Sequence, residues 1–250
     1  LKYTVITGAS SGIGYETALL FAARGKNLIL VARRTEKLEE LASLAKERSP
    51  EIDVVIRTAD LSDMKQVHSL YEGLKSFDIE TWINNAGLGD FGAINELDLN
   101  KIEGMLRLNI EALTILSSLY VRDYSNVEGT QIINVSSDAG YTIIGGGVTY
   151  SATKFYVSAF TEGLAHELKA KEAKLQAKIL APAATETEFS KNANDVTEFN
   201  YDEVLPKYNT AQEVAHFMLE LYDNDKVLGI VNKNYEFKLR DSIYHYLGGF

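Results

Sequence analysis

Short, β-branched apolar runs at 3–7, 27–32, 52–59, 81–84, 131–135 and 175–181 alternate with longer amphipathic segments near 13–24, 35–48, 62–77, 98–123, 149–173 and 210–223. This alternation limits what the chain can fold into more than any other feature. The apolar runs are nearly continuous, so both of their faces must be covered by other structure. Strands of that kind, separated by helix-length segments, build right-handed βαβ crossovers and hence an α/β fold around a doubly wound parallel sheet. A further run at 227–231 adds a seventh strand. No repeat, proline-rich linker or low-complexity tract divides the 250 residues, and only 3 prolines occur, so a single domain over 1–250 is expected. With 46% hydrophobic residues, a chain of this length can bury its core without disulfide or metal staples.

The absence of cysteine excludes a disulfide framework, a thiolate metal site and a cysteine nucleophile. It is compatible with a reducing, cytoplasmic location. A net charge of −10 repels a phosphate backbone, and no stretch is strongly basic, so nucleic acid is not an expected partner. The longest apolar stretches, such as 28–32, fall far short of the roughly 20 residues that span a bilayer. No secretory leader is read before Lys2, and no membrane role is expected. The chain starts at Leu1, not Met, and a few preceding residues are expected. His68, His166, His216 and His245 lack metal-ligand spacing, so no metal is expected. Lys169, Lys171, Lys174 and Lys178 read as a solvated helix face and its continuation.

The segment Thr7-Gly8-Ala9-Ser10-Ser11-Gly12-Ile13-Gly14 leads from the first strand into the first helix. There, unpaired N–H groups and the helix dipole attract a pyrophosphate. Its spacing is G-x-x-x-G-x-G, not the G-x-G-x-x-G fingerprint, so an ordinary tight turn and a nucleotide site both remain open from these residues alone. Together with Asn84-Asn85-Ala86-Gly87 and Tyr150-Ser151-Ala152-Thr153-Lys154, it resembles the short-chain dehydrogenase/reductase family. The resemblance implies an NAD(P)-dependent oxidoreductase on a Rossmann-like sheet of about seven strands. It implies cofactor contacts from Gly8, Ser10, Ser11, Gly12, Ile13 and Gly14, and from Asn85, Ala86 and Gly87. Asp60, followed by Leu61, resembles the family's adenine-contacting aspartate, although a cap near Ser62 is an equal reading. Pro182 and Thr187 resemble the segment that contacts the nicotinamide carboxamide, with Ala183 in place of the usual glycine.

An acidic residue at the end of the second strand would bind ribose hydroxyls, whereas arginine accepts a 2′-phosphate. Here the strand ends Ala32-Arg33-Arg34, which favours NADP (NADPH) and leaves NAD as the alternative. Arg33 is the first choice for the phosphate, and Arg34 the residue more readily turned away. Some relatives carry a basic residue where Ser11 stands, so that position lends no support.

Tyr150 and Lys154 lie four residues apart on a predicted helix and share one face. A phenol of ordinary pKa near 10 is a poor acid at neutral pH. Lowering it by about 3 units takes roughly 4 kcal/mol, comparable with one cation about 4 Å away at an effective dielectric near 20. Tyr150 is therefore the expected general acid/base, and Lys154 its charge partner and a ligand of the nicotinamide ribose. Ser136 and Ser137 both end the fifth strand. The family's substrate-orienting serine stands thirteen positions before the tyrosine, which selects Ser137. Asn109 interrupts the apolar stripe of the 98–123 segment. The resemblance implies that it holds a water linking Lys154 to solvent.

The expected substrate is a small-molecule carbonyl or secondary alcohol, with Gly145, Gly146 and Gly147 leaving room beside the phenol. The irregular stretch 183–206, with Phe189 and Tyr201, reads as a substrate lid or a disordered surface loop. The tail 232–250, with Tyr235, Phe237, Tyr244, Tyr246 and Phe250, is expected to pack on its own domain or on a second subunit. A homodimer or homotetramer through the 98–123 and 149–173 helices is implied by resemblance only. The competing class is an NADP-binding sensor or interaction protein without turnover. Retention of Asn109, Ser137, Tyr150 and Lys154 favours the enzyme. A ketone tethered to an acidic carrier is a third reading, which the acidic surface disfavours.

Overall fold

The computed structural model describes residues 1–248. The leading half of the chain forms β1 (Lys2–Thr7), α1 (Gly12–Ala23), β2 (Asn27–Ala32), α2 (Thr35–Arg48), β3 (Val54–Thr58), α3 (Met64–Leu74), β4 (Asp78–Asn84), α4 (Leu99–Leu106) and α5 (Leu113–Tyr124). There follow β5 (Gln131–Val135), α6 (Val148–Ala170), β6 (Gln176–Ala181), β7 (Thr185–Glu186), α7 (Glu188–Ala193), α8 (Tyr201–Val204), β8 (Asn209–Thr210), α9 (Ala211–Tyr222), β9 (Leu228–Val231) and β10 (Phe237–Arg240). Alternate residues of the central strands enter opposite cores, which is why the runs are mostly apolar. Ile6, Leu28 and Leu30 pack with Phe21, Leu41 and Met218 of α1, α2 and α9. Val5, Ile29 and Val31 pack with Tyr71, Leu116 and Tyr120 of α3 and α5.

The main sheet has the order β10-β9-β6-β5-β4-β1-β2-β3. The strand order reverses beside β1 and β4, the place where open α/β sheets bind ligands beyond the strands' carboxyl ends. Eight strands replace the expected seven, because β10 adds antiparallel to β9. In β10, half-buried Phe237 and Leu239 alternate with exposed Lys238 and Arg240. Such a one-sided edge strand carries no continuous apolar run to reveal it. The segment expected as one helix over 98–123 is α4, a π-helical turn at Arg107–Ala112, and α5.

The tail packs on its own domain, anchored by a fully buried carboxylate. Glu162 of α6 is 0% exposed and accepts hydrogen bonds from the Tyr141 and Ser242 hydroxyls and from the backbone N–H groups of Ile243 and Tyr244. Tyr244 stacks on Tyr141, and Tyr246 stacks on His166. Phe250 lies outside the described residues. Glu162→Gln loses an acceptor shared by several donors. It is expected to cost about 1.5–3 kcal/mol and to lower Tm by about 5 °C, as read by calorimetry. Among the described residues, no helix is long and apolar enough to cross a membrane.

Candidate active site

The glycine turn is held open by the residues that follow β4. Gly8 and Gly12 have φ of +67° and +56°, a region that favours glycine. A Cβ on Gly8 would lie 2.8 Å from the Ala86 Cα, and one on Gly14 would lie 2.5 Å from both the Asn85 amide nitrogen and the Gly8 oxygen. The Thr7 hydroxyl accepts from the backbone N–H of Asn85 and of Ala86, while the Asn85 amide donates to the Thr7 and Gly8 carbonyls. Ser11, the N-cap of α1, makes no side-chain cap, and the first turn carries no acidic residue. The leading N–H groups of α1 are thus left for an anion. Gly14→Ala is expected to cost about 1–3 kcal/mol by overpacking and to weaken dinucleotide binding at least tenfold, as read by calorimetric titration.

Above this turn runs a cleft of about 530 Å³, within the range of small-molecule sites. It is lined by Gly8, Ser10, Ser11, Gly12, Ile13, Arg33, Arg34, Asp60, Leu61, Asn85, Ala86, Gly87 and Thr187. Of the residues expected to bind the cofactor, Gly14, Tyr150, Lys154 and Pro182 are not among its walls. Gly14 packs beneath the turn, and the Pro182 carbonyl accepts from the Asp138 N–H. Arg33 is exposed and makes no hydrogen bond or ion pair among the described residues. Arg34 is not turned away. It donates to the Ser10 hydroxyl and carbonyl and pairs with Glu188 at 2.9 Å. Asp60 lines the cleft, and its Oδ1 accepts from the Ser62 N–H and hydroxyl in the turn before α3. The cap of that helix is Asp63, which accepts from the Lys65 N–H, so Asp60 is not the helix cap. The residues present suit a dinucleotide: unpaired N–H groups and hydroxyls face the phosphate region, and a guanidinium stands at the end of β2.

Tyr150 and Lys154 occupy one face of α6, with Nζ 5.8 Å from the centre of the phenol ring. Nζ donates to the Val135 carbonyl at 3.1 Å. The Ser137 hydroxyl donates to Asp138 at 2.9 Å and accepts from the Ala139 N–H. Ser136 instead bonds the Lys154 carbonyl and the Ser158 hydroxyl, which fixes α6 against β5. Asn109, on the π-helical turn, clamps Leu88 by both backbone groups and donates to the Thr153 hydroxyl. A Cβ on Gly87 would lie 3.5 Å from both the Asn109 Oδ1 and the Lys154 Nζ, an ordinary contact that places this residue beside both side chains.

The match to a family model settles the lineage: the short chain dehydrogenase model covers residues 2–198. The chain belongs to the short-chain dehydrogenase/reductase family. The NADP-dependent 3-hydroxy acid dehydrogenase of Schizosaccharomyces pombe is 36% identical over 194 residues, 76% of this chain and 73% of that protein. A short-chain dehydrogenase from Sphingobium yanoikuyae, solved in complex with NADPH, superposes with a TM-score of 0.84 at 31% identity, covering 92% of this chain and 87% of that one. The bulky-bulky ketone specific alcohol dehydrogenase of Comamonas testosteroni gives a TM-score of 0.80 at 30% identity, covering 92% and 86%. This dehydrogenase/reductase is therefore an NAD(P)-dependent oxidoreductase, of a family that acts on small molecules.

The segment 183–206 of the dehydrogenase/reductase folds into β7, α7 and α8, with β7 paired to β8, and is not an irregular loop. Thr187 caps α7 and meets Gly12, whose Cβ position is 2.9 Å from the threonine methyl. Phe189 and Phe91 each pack against Tyr150 with ring centres 5.5 Å away, leaving the tyrosine 6% exposed. Tyr201 supports α7 from beneath through Thr187 and Ser190 and does not line the cover. Gly147 leaves less room than expected, since Phe91 fills the space within 2.9 Å of its Cβ position.

This packing sets the electrostatics. Burial pushes the Tyr150 phenol well above its ordinary value, the Asp138 charge adds to that, and the Ser137 hydroxyl opposes both. Burial pushes Lys154 down to about 8. With α7 packed in place, the phenol is thus moved opposite to the expected acidification, because aromatic cover desolvates it more than nearby dipoles compensate. Leu88, Phe91, Thr153, Asp138 and Glu188 all shape the site and were not singled out from the sequence. For Asp138 the signal was available: it directly follows the serine chosen for catalysis.

Proposed function

We propose that the protein is an NADP-dependent oxidoreductase that interconverts a carbonyl and a secondary alcohol, with Tyr150 as general acid/base. The observation that carries this is the juxtaposition of Tyr150, Lys154 and Ser137 at the carboxyl ends of the strands, beside the cleft. When bound, the cofactor supplies or takes a hydride at nicotinamide C4. In reduction, Tyr150 donates its proton to the carbonyl oxygen, and Lys154 balances the charge left on the phenol and holds the ribose hydroxyls. Ser137 turns from Asp138 to hydrogen-bond the same carbonyl oxygen. Asn109 keeps Leu88 and Thr153 in place and holds a water through which Lys154 exchanges protons with solvent. Leu88, Phe91, Ile144 and Phe189 cluster with Tyr150, and this apolar surround excludes water and suits an uncharged substrate. The 183–206 segment acts as the lid over it.

The NADP preference is supported by Arg33, which has no hydrogen-bond or ion-pair partner among the described residues, and by the absence of a carboxylate from the end of β2. The yeast relative and the Sphingobium structure are described with NADP and NADPH. A homo-oligomer through α5 and α6, where Tyr156 is 37% exposed, belongs to the same proposal and is read by light scattering. The deciding experiment is a panel of aldehydes, ketones and alcohols followed by NADPH absorbance. Carbonyl-dependent oxidation of NADPH is expected, and its absence across the panel refutes the assignment. Arg33→Asp is expected to weaken NADPH about 10-fold to 100-fold with little change for NADH, since hydrogen bonds to charged groups contribute about 1.5–3 kcal/mol.

A further inference from the structure

Resting on the NADP reading of the cleft, we propose that Glu188 is a specificity-determining residue that competes with a cofactor 2′-phosphate for Arg34. Arg34 stands on one wall, as the N-cap of α2 two residues after β2, and Glu188 on the other, as the first residue of α7. Their 2.9 Å pair bridges the cleft next to the end of β2, where the adenosine ribose of a dinucleotide lies. Glu188 is held below the usual carboxylate range chiefly by its hydrogen bond with Arg34, and further by Ser11 of the glycine turn, so its charge is seated among the groups that face phosphates. A ligand ending in ribose hydroxyls leaves this pair intact. A 2′-phosphate either displaces the carboxylate from Arg34 or lies beside a like charge.

The pair is 43% and 45% exposed, and ion pairs in water are weak. A dianionic phosphate therefore wins the competition, but its net gain is reduced. Glu188 tunes the preference and does not block the site. Charged neighbours on both walls belong to the same balance: Lys37 and Arg33 beside Arg34, and Lys191 on α7. The competition also reaches the chemistry. Glu188 is followed by Phe189, whose ring lies on Tyr150, so releasing the pair loosens the helix that covers the phenol.

The test compares wild type with Glu188→Gln by calorimetric titration of 2′,5′-ADP and of 5′-AMP, two probes that involve no redox chemistry. Glu188 is exposed and caps nothing, so the variant should fold. In wild type, 2′,5′-ADP is expected to bind more tightly than 5′-AMP. In Glu188→Gln the affinity for 2′,5′-ADP should rise about threefold to fivefold, the factor an exposed ion pair supplies, while 5′-AMP stays within about twofold. The NADPH-to-NADH affinity ratio should rise by the same factor. If 2′,5′-ADP binds Glu188→Gln no better than wild type, or more weakly, the competition is refuted and the pair is a clamp or is inert. If wild type does not distinguish the two probes, the NADP reading itself fails, and the inference with it.

Discussion

Tyr150→Phe is expected to lower kcat for carbonyl reduction by about 10³-fold while leaving NADPH affinity within about twofold. Positioned acid–base groups contribute roughly 10²–10⁴ in rate, and the substitution removes the only proton this residue can transfer. The phenyl ring keeps its packing against Phe91 and Phe189, so the fold and the placement of α7 should be undisturbed. Thermal melting that matches wild type, together with lost turnover, separates chemistry from stability. Near-full turnover on a verified substrate would remove Tyr150 from the mechanism. Burial raises this phenol with α7 packed over it, so the proposed mechanism requires its acidification to come from displacement of Phe189 and from cationic partners at the nicotinamide end.

Lys154→Met is expected to abolish turnover to a similar extent and, at the same time, to stabilise the protein at neutral pH. Lys154 is 5% exposed, and burial takes its pKa from 10.5 to about 8. A cation whose folded pKa is depressed holds fewer protons than the unfolded chain does between those values, so stability rises with pH across pH 8 to 10.5. Below about pH 8 the full penalty applies, on the order of 3 kcal/mol. Methionine removes that penalty and loses one hydrogen bond, to the Val135 carbonyl, for a net gain of about 2 kcal/mol and about 4 °C in Tm. The wild type should gain stability on going from pH 7 to about 9, below the range near pH 10 where the tyrosines of raised pKa oppose the trend. The variant should gain less, keeping the part due to Lys178, which is buried in β6 instead of lying on the expected solvated face and is also pushed down to about 8. A variant that melts lower than wild type at pH 7 contradicts this. The trade of stability for activity is typical of buried charge retained for function.

The strand and helix alternation was legible because strands covered on both faces are apolar along most of their length, as in β1, β2 and the middle of β4 to β6, with buried Thr4, Asn84, Asn134 and Lys178 as exceptions. The rule fails for β10, which is covered on one face only. The π-helical turn could not be read, since over six residues its periodicity does not differ enough from that of an α-helix. Ser136 and Ser137 are indistinguishable as neighbours in sequence. The structure separates them by the direction of their hydroxyls, one to Lys154 and Ser158, the other to Asp138. The spacing of Tyr150 and Lys154 told which helix face they share, because helix geometry is local. It could not tell the sign of the shift on the phenol, which comes from Phe91 and Phe189, residues far away in the chain. Arg34 and Glu188 are equally remote from each other, so their meeting depends on how α7 folds back over the glycine turn.

Glu162 ties the last strand's exit to Tyr141, and the Tyr244 hydroxyl reaches the Gly140 carbonyl at 3.3 Å, one turn beyond Ser137. The segment 242–244 thereby stiffens the corner that carries Ser137, the serine proposed to hold the substrate carbonyl. Selection for altered substrate range can work through substitutions at 240–246, changing how firmly that corner is held while every group that handles protons or hydride stays as it is.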